Sequence, residues 1–87
     1  MTQSDLLELA ITVMEKQGCR VCRDELDGYG GGFTQALRQD YYLLDTSRNP
    51  EELLRQVLAD LGIDTCLDQI RVRESLLRRL NTNRLAA

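Results

Sequence analysis

The stretch that decides the fold is Asp27-Gly28-Tyr29-Gly30-Gly31-Gly32-Phe33-Thr34-Gln35-Ala36-Leu37-Arg38-Gln39-Asp40-Tyr41-Tyr42-Leu43-Leu44-Asp45, followed by Thr46-Ser47-Arg48-Asn49-Pro50-Glu51-Glu52. Its glycine cluster marks a loop where the backbone is free to visit positive φ. Phe33 to Leu37 then reads as a short strand, and Tyr41 to Asp45 as a second. Tyr41-Tyr42-Leu43-Leu44 does not alternate, so that strand is expected to be central and covered on both sides, or nearly so. Arg38-Gln39-Asp40 is the expected turn between the two, without the Asn-Gly or Asp-Gly pair that tight hairpins favour. Asn49-Pro50-Glu51-Glu52 starts a helix: Asn49 as cap, Pro50 at the first position, and Glu52 reaching back toward the cap. Leu53, Leu54, Val57, Leu58 and Leu61 form its apolar stripe, and Gly62 ends it.

Outward from this block, Asp5 to Gln17 reads as an amphipathic helix. Leu6, Leu9, Ala10, Val13 and Met14 fall at helical spacing, with Leu7 and Ile11 widening the stripe. Ser4 is the expected cap and Gly18 the expected stop. Cys19 to Glu25 alternates as a half-buried strand would, with Cys19 and Val21 on one side and Arg20 and Asp24 on the other. Ile63 to Gln69 is a connector. A last helix is expected from Ile70 to Asn81, carrying Leu76, Leu77 and Leu80, with Thr82 to Ala87 fraying. The fold class that follows is α+β: a helix, a three-stranded antiparallel sheet, and two helices packed on one face, all within a single domain spanning residues 1–87.

Eighty-seven residues leave room for one small core. A chain of this size buries roughly 60–65% of its unfolded surface, so a second copy is expected to add what the monomer lacks. Charge is divided unevenly: residues 1–64 hold 12 acids and 6 bases, residues 65–87 hold 2 acids and 5 arginines. Arg73, Arg78, Arg79 and Arg84 are therefore the candidate partner-binding residues. They would serve either as the rim of a protein contact anchored on Ile70, Leu76, Leu77 and Leu80, or as phosphate contacts on nucleic acid. The acidic body works against the second use. No apolar run reaches the ~18–20 residues of a membrane span. The N-terminus lacks the basic start of a leader, which leads us to expect a cytoplasmic setting with free thiols.

Chemistry has few footholds. Without histidine there is no Ser-His or Cys-His nucleophile. Cys19-Arg20-Val21-Cys22 has the spacing of a redox pair, but it follows a helix C-terminus, the wrong electrostatic end for lowering a thiol pKa. A zinc site would have only Cys66 to add to that pair. The glycine cluster fails the dinucleotide pattern at Phe33 and lacks the Lys and Ser/Thr of a phosphate loop. Asp24, Glu25 and Asp27 fail as a calcium loop, because Arg23 and Thr34 would occupy positions that require acids. No catalytic residue, cofactor or metal is expected.

Gly18, Val21 and Glu25, then Gly31-Gly32, Leu44-Asp45, Pro50-Glu51-Glu52, Val72-Arg73-Glu74 and Leu76-Leu77 together resemble a family of small uncharacterised bacterial proteins. The chain departs from that pattern at Thr34, where cysteine is common, in the Arg38-Gln39-Asp40 turn, where glycine is usual, and before Val72, where it lacks a proline. The order of elements is also similar to the opening of minimal zinc metallopeptidases of the phage-repressor-cleaving type. Their helix carries H-E-x-x-H, whereas Gln56-Val57-Leu58-Ala59-Asp60-Leu61-Gly62 has neither histidine, so this likeness implies a scaffold without zinc chemistry. Taken together, the residues lead to three expectations in order: a non-catalytic interaction or regulatory module acting on a protein or on itself, a nucleic-acid binder using the arginine helix, and a thiol or metal protein using Cys19, Cys22 and Cys66.

Overall fold

A computed structural model describes residues 2–27 and 31–86, with the side chains of 82–86 outside the described set. The order is α1 (Gln3–Lys16), β1 (Arg20–Asp24), β2 (Gly32–Ala36), β3 (Gln39–Asp45), α2 (Pro50–Asp60) and α3 (Gln69–Ala86). Gly28, Tyr29 and Gly30 of the expected glycine loop lie outside the described residues.

α1 starts at Gln3, two residues before the expected Asp5. Thr2 rather than Ser4 closes it, accepting from the Asp5 amide at 3.2 Å while Asp5 Oδ2 accepts from the Thr2 amide at 3.0 Å. Two orphan donors are satisfied reciprocally, which Ser4 could not do from inside the first turn. Leu6, Leu7, Ala10, Ile11, Val13 and Met14 are buried along one face. That face makes α1 the centre of the helical layer: it packs against α2, α3 and β1.

α2 follows its sequence signals closely. Asn49 Oδ1 accepts from the Glu52 amide at 2.9 Å, and the Asn49 side-chain amide donates to Glu52 Oε1 at 3.3 Å. At the far end the Gly62 amide donates to the Ala59 carbonyl and the Ile63 amide to the Leu58 carbonyl, with Gly62 at φ +75°. That pair of bonds is the Schellman arrangement, and its left-handed residue is one that glycine occupies without strain. α3 begins after Asp68, whose carboxylate accepts from the Arg71 amide at 2.9 Å, and it extends past Asn81 to Ala86.

The sheet is mixed, not antiparallel. Its order is β1-β3-β2, with β1 parallel to β3 and β2 antiparallel to it. Leu37 and Arg38 alone join β2 to β3, and so short a link permits only an antiparallel pair. β1 and β2 are not neighbours, because β3 lies between them. β1 and β3 finish side by side: the Thr46 amide donates to the Asp24 carbonyl at 2.9 Å, and the Leu26 amide donates to Asp45 Oδ1 at 3.0 Å.

β3 is central, as its composition suggested, but the helices cover only one of its faces. Tyr42 and Leu44 are buried beneath them, whereas Tyr41 and Leu43 on the opposite face are half-buried. At the end of the strand Asp45 is fully buried. Its Oδ1 accepts from the Leu26 amide, the Ser47 amide and the Ser47 hydroxyl, and its Oδ2 lies 4.0 Å from Arg48 Nε. A buried carboxylate needs such a set of donors. Here it holds the loop leaving β1 to the turn entering α2.

Candidate functional site

The arginines of α3 do not form one surface. A helix advances about 100° per residue, so Arg73 stands apart from Arg78 and Arg79, which border a different hollow. Val72 and Leu76, at adjacent helical positions, are buried in the chain's own core, and Leu80 packs against that core. The expected apolar anchor is thereby split: Leu76 is fully buried, Leu77 is intermediate, and Ile70 is 72% exposed. Arg73 lines an open hollow of about 470 Å³ beside Asp5, while Arg78 and Arg79 line another of about 410 Å³ beside Asp64. A Cβ placed on Gly62 would lie 3.7 Å from Arg79 Nη2, so this guanidinium sits at the carbonyl end of α2, where the helix dipole favours a cation. Arg84 falls in the part of α3 whose side chains are outside the described residues.

The cysteines are also dispersed. All three are free: Cys19 and Cys22 half-buried, Cys66 exposed in the α2–α3 connector. Burial, assisted by the nearby Asp40 charge, pushes the Cys19 thiol above its ordinary pKa, the reverse of what a reactive thiolate requires. Among the described residues no group of three or more His, Cys, Asp or Glu side chains is placed to hold a metal.

Two polar clusters serve the fold. Arg23 and Glu8 form a two-pronged pair, Nη1–Oε1 and Nη2–Oε2 both at 2.8 Å, tying β1 to α1. The hydrogen bonds from Arg23 hold the Glu8 carboxyl below its usual pKa. Both side chains are about half exposed, so the pair contributes no more than ~1 kcal/mol. Beneath the sheet, the Tyr42 hydroxyl donates to Asp60 of α2, and Gln56 Nε2 donates to the Leu43 carbonyl at 3.3 Å. Gly31 lies against the same carbonyl so closely that a Cβ there would collide with it. Gly31 therefore has no room for a side chain, and Gly32 stands at φ +119°, the positive φ that the glycine cluster led us to expect.

What stands out on the surface is the β2–β3 hairpin. Phe33 is 56% exposed and Leu37 98% exposed. Every residue of β2 from Phe33 to Ala36 is exposed, and none of Gly32–Ala36 is charged. β2 is an edge strand, with β3 on its inner side and no strand on its outer side among the described residues. The opposite edge, β1, carries Arg20, Arg23 and Asp24, charges that discourage strand addition. Sequence reading passed over β2 because its residues carry no recognisable chemistry. The usable signal was the absence of charge along a strand that opens at a glycine and closes at a tight turn.

Comparisons of this chain with protein-family models, curated proteins and solved structures return no match. Among the described residues no helix is long and apolar enough to cross a membrane.

Proposed function

We propose that this chain is a small non-catalytic protein-interaction module of the cytoplasm that engages its partner through the β2–β3 hairpin. The observation that carries this reading is the uncharged, exposed outer edge of β2, with Phe33 and Leu37 beside it. Edge strands left open are ordinarily defended with charge, proline or a bulge. Strand addition is a recurrent way for proteins to use such an edge, with main-chain hydrogen bonds providing affinity and alternate side chains selectivity. The likeness to small bacterial proteins with no assigned chemistry is compatible with this role, and the three free cysteines suit a reducing compartment.

Nucleic-acid binding through Arg73, Arg78, Arg79 and Arg84 ranks below it, because Arg73 is separated from the Arg78–Arg79 pair and the body is acidic. Two measurements separate these readings. A photo-crosslinking side chain at position 37 should give discrete protein adducts, and the same group at position 73 should give none. Titration with random-sequence duplex and single strands at physiological salt should show no binding. Protein adducts from 73 but not 37 would move the contact to α3, and salt-sensitive binding abolished by charge reversal at Arg78 and Arg79 would put nucleic acid first.

A further inference from the structure

We infer that the occupant of the β2 edge is a second copy of this chain, paired antiparallel about a two-fold axis through Thr34. This rests on the proposal that the hairpin is the interaction surface, and it names the partner.

The inference comes from which backbone groups the edge presents. β2 pairs with β3 in the register Gly32↔Leu43, Phe33↔Tyr42, Thr34↔Tyr41, Gln35↔Asp40 and Ala36↔Gln39, closed by a two-residue turn. A two-residue hairpin closes on a hydrogen-bonded pair, and such pairs then alternate along an antiparallel ladder. Ala36, Thr34 and Gly32 therefore direct their amides and carbonyls inward to β3. Phe33 and Gln35 direct theirs outward.

A two-fold axis at Thr34 sets Phe33 of one copy opposite Gln35 of the other, and the reverse. Both are outward-bonding residues, so each pair exchanges two hydrogen bonds without a change of register. It is also the register in which all five residues of β2 find a partner: Gly32 opposite Ala36, and Thr34 opposite Thr34. No charge meets a like charge, because Gly32–Ala36 contains none. A cross-strand Thr–Thr pair at the axis is favourable. Phe33 now stacks edge-on against Tyr42, with ring centres 4.9 Å apart and more than half its surface open. In the pair that surface is covered from the other side.

An interface of this kind is isologous, so it closes at two copies and joins two three-stranded sheets into one of six. β1, with its charges, becomes the edge at each end. The contact is shorter than a standard interface of about 800 Å² per partner, so the expected dimer is weak and concentration-dependent.

Thr34 on the axis makes the test specific. Sedimentation equilibrium of the full chain should move from 9.9 kDa toward twice that mass as concentration rises. Thr34→Lys and Thr34→Glu should each weaken self-association by at least about fivefold, since each sets like charges opposite one another. Mixing the two variants should restore a heterodimer. Gln35→Pro removes an outward amide while leaving the β3 ladder intact, so it should give a folded monomer by circular dichroism. A wild-type chain that stays monomeric to millimolar concentration overturns the inference. So does a dimer indifferent to Thr34→Lys, or variants that do not recover on mixing. If the chain is monomeric yet still crosslinks to another protein from position 37, the second copy is the wrong occupant and the hairpin surface stands. If both signals are missing, the surface is wrong as well.

Discussion

α2 and the β2–β3 hairpin are neighbours built under opposite rules. α2 has a preferred residue at every position that matters: Asn49 at its cap, Pro50 at its first turn, Glu51 and Glu52 near its positive end, and Gly62 at its left-handed stop. Its stripe of Leu53, Leu54, Val57 and Leu58 is buried. The hairpin breaks its local preferences. Leu37 and Arg38 sit at φ +52° and +66°, a turn that ordinarily calls for Asn and Gly. Its outer strand buries almost nothing. Where local preference, burial and polar satisfaction agree, a segment holds the fold together. Where they disagree, as in the hairpin, a segment is a candidate for use as a functional surface.

The sharpest way to break this contrast is to truncate a side chain in each region. Leu58, 3% exposed, should cost about 2–5 kcal/mol as Leu58→Ala. Phe33→Ala should cost about 1 kcal/mol, chiefly its edge contact with Tyr42. Urea midpoints of the two variants decide the matter. Equal losses would mean that the hairpin belongs to the core.

Tyr42 joins the two regions, since it lies on β3 and donates to Asp60 on α2. Tyr42→Phe should cost about 1–2 kcal/mol near neutral pH by leaving that acceptor without its donor. It should also change the alkaline limb. Burial first, and the Asp60 hydrogen bond second, raise the Tyr42 hydroxyl above its ordinary pKa of 10. Above that value the unfolded chain releases the proton while the folded chain keeps it. Stability present below pH 10 is therefore lost as pH climbs beyond it. Melting temperatures of the wild type should fall over that range, and those of Tyr42→Phe should fall less. Parallel curves would remove Tyr42 from the account.

The smallest effect has the opposite sign. Leu37→Asn combined with Arg38→Gly supplies the residues that two successive positive φ values favour, and should raise stability by about 0.5–1 kcal/mol. A loss of stability would show that Leu37 has a contact worth more than its strained backbone.

Much of the fold was legible because it is written in local signals. Both ends of α2 follow from Asn49, Pro50 and Gly62, whose chemistry acts within one turn. The stripe of α1 follows from the spacing of Leu6, Ala10, Val13 and Met14. Thr2 was missed as the cap because Ser4 looked equivalent, and only the reciprocal bonds with Asp5 distinguish them. The turn was placed one residue late, over Arg38-Gln39-Asp40, because Leu37-Arg38 has no turn preference to read. Tyr41 and Leu43 suggested cover on both faces of β3, although the helical layer lies on only one. The arginine helix attracted attention through composition alone. Charge counted along a chain does not say which way each residue points, and α3 uses Val72 and Leu76 to bury itself between its arginines.

The sequence by itself determined the order of the elements, both ends of α2 and the apolar stripes of α1 and α2, because hydrophobic spacing and capping act over three to five neighbours. Only the tertiary structure decided that β1 runs parallel to β3, and that Asp45 is a buried staple rather than a surface acid. These features depend on contacts between distant residues, such as Asp24 with Thr46 and Leu26 with Asp45. The open edge of β2 belongs to the same class: the composition of β3 marks it as central, but whether another element covers the outer side of β2 depends on how distant parts of the chain assemble.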